Sequence, residues 1–89
     1  MIEELLKSRG DVYGDYKGNS QCHIDLMNVI RRRYKETNDC ELDPLLEVYI
    51  WNIVNKLSRI ASTPDHVDSW KDIIGYATIT IQEIENANK

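Results

Sequence analysis

The segment from residue 44 to about residue 61 constrains the fold more than any other part of the chain. Its apolar residues recur in a 4-3-4-3 rhythm, which predicts an α-helix. Asp43 just before it and Pro44 at its start form a good N-cap and first-turn pair. Because other apolar side chains cover much of the remaining circumference, we expect a central helix with partners on more than one side. The rhythm comprises Leu46, Ile50, Ile53, Leu57 and Ile60, and the further apolar residues are Val48, Tyr49, Trp51 and Val54.

Three segments precede this helix. Residues 1–9 predict a short amphipathic helix that Gly10 ends, and residues 11–18 predict a loop in which glycines allow unusual backbone angles. A second helix then begins at Asn19 or Ser20 and ends near the basic run at 31–35. Its apolar positions are Ile24, Leu26, Met27, Val29, Ile30 and Tyr34.

A fourth helix is predicted from about Asp65 to Glu85, after a second cap-and-proline pair formed by Thr63 and Pro64. The sequence therefore predicts an all-α fold, with three main helices plus a short N-terminal one in a single domain of residues 1–89. The predicted core stripe of the fourth helix is Val67, Trp70, Ile74, Ala77, Ile81 and Ile84.

Size and charge restrict the class of protein. A domain of 89 residues buries only a modest core, so we expect a homo-oligomer. A net charge of -4 argues against a general nucleic-acid binder. The most apolar window, at 48–54, is far shorter than the roughly 20 residues that span a bilayer, so no membrane association is expected. Cys22 and Cys40 lack the spacing of a zinc site and are expected to be reduced.

Three aspartates on the fourth helix are the first candidates for chemistry. Asp65, Asp68 and Asp72 are spaced three and four apart and project from one helix face. Such carboxylates could hold Mg²⁺, which takes oxygen ligands and substrate phosphates. The alternative is a solvated acidic face, with Asp65 favoured by the helix dipole.

Residues near the aspartates leave further alternatives open. Lys56 and Arg59 share a strip of the third helix, which predicts either a structural ion-pair network or contacts to phosphate if that strip faces the aspartates. Gly75 predicts the close approach of a ligand or of another helix. Glu47 could supply a fourth carboxylate or could serve only as a partner of the helix dipole. Neither histidine has a visible partner for catalysis.

Several motifs resemble a group of small, uncharacterised bacteriophage proteins. They are YGD at Tyr13–Asp15, the helix-opening Asn19, KLSRI at 56–60 and DHVDSWKDIIGYA at 65–77. That group is similar to the all-α nucleoside triphosphate pyrophosphohydrolases of the MazG type. The resemblance covers most of the chain, but Tyr16 replaces a proline expected after YGD, and the expected E-x-x-E pair is absent.

The resemblance implies a MazG-like oligomeric fold and a nucleotide-binding protein in the host cytoplasm. If it is an enzyme, it would be a Mg²⁺-dependent pyrophosphohydrolase, in which Asp68 and Asp72 hold the metal and Glu47 adds the only available acid of the earlier helix. Lys56 and Arg59 would contact phosphates. The missing E-x-x-E pair favours an alternative, a non-catalytic protein that sequesters a nucleotide signal or inhibits a host protein. The other implied ligand-binding residues are Tyr13, Gly14, Asn19 and Tyr76.

Overall fold

The computed structural model describes the backbone of residues 1–13 and 15–88 and the side chains of residues 1–9 and 15–88. Within this part of the chain the fold is all-helical, which confirms the predicted class. The helices are α1 (Ile2–Tyr13), α2 (Tyr16–Asn38), α3 (Pro44–Ser62) and α4 (Val67–Ala87).

Helix α3 is central, as its apolar circumference predicts. Each of the other three helices packs against it. Two pairs show that α2 and α3 run antiparallel. The Ser62 hydroxyl, at the end of α3, donates to Asn19 Oδ1 near the start of α2 at 2.9 Å, whereas Arg31 in the second half of α2 pairs with Glu47 in the first turn of α3.

The boundary between α1 and α2 differs from the prediction. Helix α1 continues through Gly10, and α2 begins at Tyr16, so most of the predicted loop is helical. The N-cap is Asp15, whose carboxylate accepts from the Gly18 amide at 2.6 Å. A Cβ at position 18 would lie 2.8 Å from Asp15 Oδ1, so a larger residue here would displace the capping carboxylate, and the backbone of Gly18 has no unusual φ. At its other end α2 extends to Asn38 and stops at Asp39, which is left-handed with φ 58°.

The start of α3 agrees with the prediction. Pro44 is its first residue, and the Asp43 carboxylate accepts from the Leu46 amide at 3.4 Å. The second cap-and-proline pair acts differently. Thr63 is the C-cap of α3, and α4 begins at Val67 after His66, two residues later than predicted.

The face of α4 that contacts the rest of the chain was predicted wrongly. Ser69 is 1% exposed, and the side chains that follow it on the same face are half-buried against α3. Five residues of the predicted core stripe lie outside and are between 44% and 67% exposed. Periodicity reveals which residues form a stripe, but not which face a neighbouring helix covers. The inward residues after Ser69 are Ile73, Tyr76 and Thr80, and the exposed ones are Val67, Trp70, Ile74, Ile81 and Ile84.

The molecule is elongated for its length. Its extents are 48 × 26 × 23 Å and its radius of gyration is 15.3 Å, against about 12 Å expected for a compact domain of this size. Its accessible surface is 6817 Å², whereas a compact monomer of this mass would expose about 5,400 Å². The buried apolar residues in the described part are Met27, Leu42, Val54 and Ile60. None of the described helices combines the length and apolar character that crossing a bilayer requires.

The substitution Gly75→Ala is expected to stabilise the protein by about 0.5–1 kcal/mol, because glycine inside a helix costs conformational entropy. A Cβ at this position would have no neighbour within 4 Å, so the predicted close approach is not found in the described part of the chain. Urea unfolding of the two proteins measures the difference. A destabilised Gly75→Ala variant would contradict the open surroundings of this residue.

Candidate functional site

The structure brings together two of the residues that the sequence groups as a candidate site, Lys56 and Asp72. Lys56 Nζ lies 2.9 Å from Asp72 Oδ2, so this part of the α3 strip does face the acidic side of α4. The Lys56 side chain is 13% exposed and that of Asp72 is 51% exposed. Because the ammonium already compensates the Asp72 charge, this geometry supports a structural ion pair between α3 and α4.

The other two aspartates are exposed. Asp65 lies in the turn before α4, and Asp68 lies in its first turn, where a carboxylate favours the helix dipole. Across the described residues, no group of three or more histidine, cysteine, aspartate or glutamate side chains is arranged to hold a metal ion. The donor set therefore does not form a protein-only site. Mg²⁺ is often held by one or two carboxylates together with substrate phosphates, so its binding at Asp68 and Asp72 stays a prediction.

Glu47 forms an ion pair with α2 and does not contact the aspartates of α4. Its carboxylate pairs with the Arg31 guanidinium of α2, which also donates to Asn28 Oδ1 at 3.2 Å. Glu47 is nine residues from Lys56 on the same helix, a separation of about 13 Å along the axis. It therefore lies far from the Lys56–Asp72 pair, and its predicted catalytic role has no neighbouring acid of α4 beside it.

The remaining predicted ligand residues are divided between two places. Tyr76 is half-buried on the α3-facing side of α4. Asn19 and Arg59 both line a groove elsewhere, between α1, α2 and α3. The Tyr13 side chain and Gly14 lie outside the residues that the structure describes.

We call this cavity the central groove. It has a volume of about 920 Å³, within the range of small-molecule binding sites. All three of the first helices contribute to it. Its lining residues are Leu6, Arg9, Asp15, Tyr16, Asn19, Ser20, His23, Ile24, Trp51, Asn55 and Arg59.

Helical spacing explains why these side chains share one cavity. Trp51, Asn55 and Arg59 are each four residues apart, so they project from one face of α3. On α2, Tyr16, Asn19 and His23 are spaced three and four apart and also share one face. Since the two helices are antiparallel neighbours, their polar and aromatic faces meet across the groove.

His23 is the least ordinary residue of the groove. It is 9% exposed, and its ring packs edge-on against Trp51 with the ring centroids 4.6 Å apart. Among the described residues neither ring nitrogen has a hydrogen-bond partner. Burial lowers the pKa of His23 below its ordinary value, and the positive charge of Arg31 lowers it further. The imidazole is therefore neutral near pH 7, with one donor and one acceptor unused.

The lowered pKa predicts a pH-dependent stability. The unfolded chain binds a proton at His23 more readily than the folded one, so stability is fully present above pH about 6.5 and declines below it. We expect the urea midpoint to fall more steeply between pH about 7.5 and 5.5 in the wild type than in His23→Gln. Equal slopes for the two proteins would show that His23 contributes nothing to the pH dependence.

Charge in the groove is predominantly positive. Arg9 of α1 and Arg59 of α3 bring two guanidinium groups, each with several N–H donors. The single carboxylate, that of Asp15, already accepts from the Gly18 amide as the α2 cap. Tyr16 is 88% exposed at the rim. The groove thus combines cationic groups with two accessible aromatic rings, Tyr16 and Trp51.

Sequence reasoning missed most of this set. Arg9, Tyr16, His23, Trp51 and Asn55 were not predicted as site residues. One usable signal was the spacing of Trp51, Asn55 and Arg59, which places an aromatic ring, an amide and a cation on one face. His23 and Arg9 carried no local signal, because their surroundings depend on how α1 and α2 pack.

Comparison with models of protein families, with curated proteins and with solved structures finds no match for this chain. The resemblance to phage proteins and to MazG-type enzymes therefore stays a prediction from the motifs.

Proposed function

We propose that this protein binds a nucleotide in the central groove. The observation that carries the proposal is the meeting of Arg9 and Arg59 with the rings of Tyr16 and Trp51 in one cavity of about 920 Å³. Guanidinium groups match the geometry of phosphate oxygens and bind them with charge-assisted hydrogen bonds. Aromatic rings stack on bases, which contributes about 1–3 kcal/mol per base.

His23 supports a ligand with polar groups beside its phosphates. Buried polar atoms without hydrogen bonds are uncommon in folded proteins, because each one loses its interaction with water. A nucleobase or a ribose offers both donors and acceptors, which a neutral imidazole can satisfy. In this proposal His23 contacts the nucleoside part of the ligand while the arginines contact its phosphates.

The same geometry favours binding over hydrolysis. Asp68 and Asp72 do not line the groove, and Asp72 is paired with Lys56. Glu47 is paired with Arg31. We therefore propose that the protein is a non-catalytic binder that sequesters a nucleotide. The motif resemblance implies that it would act in the cytoplasm of a phage-infected host. A Mg²⁺-dependent hydrolase and an inhibitor of a host protein are the competing outcomes of its test.

The test is retention of nucleotides by the purified protein. A panel of linear and cyclic nucleotides is incubated with the protein, with and without Mg²⁺, and passed over a desalting column. We expect an intact nucleotide to co-elute with the protein and to be released on denaturation. Monophosphate and pyrophosphate in the flow-through would instead identify a hydrolase.

His23→Phe serves as the matched variant in this test, because it keeps an aromatic ring of similar size but has no ring nitrogen. We expect it to retain less nucleotide than the wild type, by about tenfold, as expected for one lost hydrogen bond to a buried group. If no nucleotide is retained by the wild type, the proposal is wrong and a host protein becomes the partner to seek.

A further inference from the structure

The outer face of α4 carries an unpartnered apolar seam. Its six positions, from Val67 to Ile84, are spaced 3-4-3-4-3, which is the a/d pattern of a coiled coil. Its a positions are Val67, Ile74 and Ile81, and all three side chains are more than half exposed. Helix α4 uses mainly another face against α3, so five of the six seam residues stay exposed in the described chain, and the sixth, Ala77, is half-buried.

We propose that the α4 seam binds a second copy of this chain, with the two α4 helices antiparallel. This inference is independent of the nucleotide proposal. An antiparallel pair centred between Gly75 and Tyr76 places each a residue opposite a d residue. At the centre of the seam, Ile74 then faces the smaller Ala77 of the partner subunit. The other facing pairs are Val67 with the partner's Ile84 and Trp70 with the partner's Ile81.

Charge selects the antiparallel orientation. Lys71, Thr78 and Glu85 occupy the exposed flank of the seam, and the opposite flank packs on α3. In the antiparallel pair Lys71 and the partner's Glu85 lie about 7.5 Å apart along the axis. Because helical side chains slant toward their own N-terminus, these two slant toward each other. A parallel pair would instead place Lys71 near the partner's His66 or the partner's Ile73, neither of which offers a negative charge.

The surface area agrees with a second copy as the occupant. The chain exposes about 1,400 Å² more than a compact monomer of its mass. A stable interface of standard size removes about 800 Å² from each partner. Pairing of two α4 seams would bury part of this excess, including the exposed Trp70, whose indole N–H is already satisfied by Pro64 O at 2.8 Å.

The first experiment measures the mass of the intact chain under reducing conditions by light scattering after gel filtration. We expect twice the monomer mass of 10.4 kDa for the wild type. Ile74→Glu is expected to shift the protein to monomer. The matched control is Ile79→Glu, because Ile79 is on the same helix and 52% exposed but lies outside the seam, so this variant should stay dimeric. A monomeric wild type, or equal loss of the dimer in both variants, would overturn the proposal.

A charge exchange tests the orientation. Lys71→Glu and Glu85→Lys alone each place like charges together and are expected to raise the dimer Kd by about tenfold. The double variant restores opposite charges and should recover the wild-type Kd in sedimentation equilibrium. Recovery supports the antiparallel seam, whereas additive loss in the double variant contradicts it. Far-ultraviolet circular dichroism checks that each variant keeps its helices.

Discussion

Met27→Ala is expected to lower the free energy of unfolding by about 2–5 kcal/mol. Met27 is 1% exposed and is one of very few apolar side chains that the described chain buries. Its loss removes apolar contacts and leaves a cavity that helices fixed by neighbouring contacts cannot close. Since a small domain has only about 5–15 kcal/mol of stability, the variant should be marginally folded or unfolded at ordinary temperature.

Val29→Ala is the matched control for this prediction. Val29 lies two residues away on α2 and is 50% exposed. Alanine also has the higher helix propensity, so this change should alter stability by less than about 1 kcal/mol. Urea unfolding, followed by circular dichroism, compares the three proteins at equal concentration. Similar midpoints for Met27→Ala and Val29→Ala would mean that the core is not centred on Met27.

Arg59→Met is expected to weaken nucleotide binding by about 10–100-fold, because a hydrogen bond to a charged group contributes about 1.5–3 kcal/mol and tenfold corresponds to about 1.4 kcal/mol. Lys56→Met removes the same charge from α3 three residues earlier. Lys56 contacts Asp72 and does not line the central groove. Its loss should therefore leave affinity unchanged and lower stability by no more than about 1 kcal/mol.

Isothermal titration calorimetry of both variants tests whether Arg59 in the central groove and Lys56 beside Asp72 belong to separate sites, although the sequence places them in one. Arg59→Lys, which keeps the positive charge, should bind with intermediate affinity. Equal weakening by Arg59→Met and Lys56→Met would contradict a ligand confined to the groove and would favour a site that reaches α4. Thermal unfolding of each variant shows whether a loss of binding reflects a loss of folding.

The sequence predicts some features of the fold and misses others, for identifiable physical reasons. The start of α3 was predictable, because Asp43 and Pro44 act on residues within one turn. The start of α2 was not, because Asp15 caps it through Gly18 inside a segment that has no apolar periodicity. The face of α4 that packs on α3 was also not predicted. Its buried Ser69 is polar, whereas the apolar seam lies outside.

The candidate site shows the same limit. Lys56 and Arg59 share a strip of sequence, yet they are about 60° apart around the helix and reach different neighbours. The sequence left open whether this strip faces the aspartates, and the structure places Lys56 against Asp72. They could not reveal that Arg59 meets His23 and Trp51 around a groove, since that depends on the packing of α1 and α2 against α3.

The most direct test of nucleotide binding in the central groove is a titration followed by the indole N–H signals in a ¹⁵N–¹H correlation spectrum. The chain has 2 tryptophans. Trp51 lines the groove, whereas Trp70 lies on α4 with its indole N–H donated to Pro64 O. We expect a retained nucleotide to shift the Trp51 signal saturably and to leave that of Trp70 in place. A shift of Trp70 alone, or of neither signal, would contradict it.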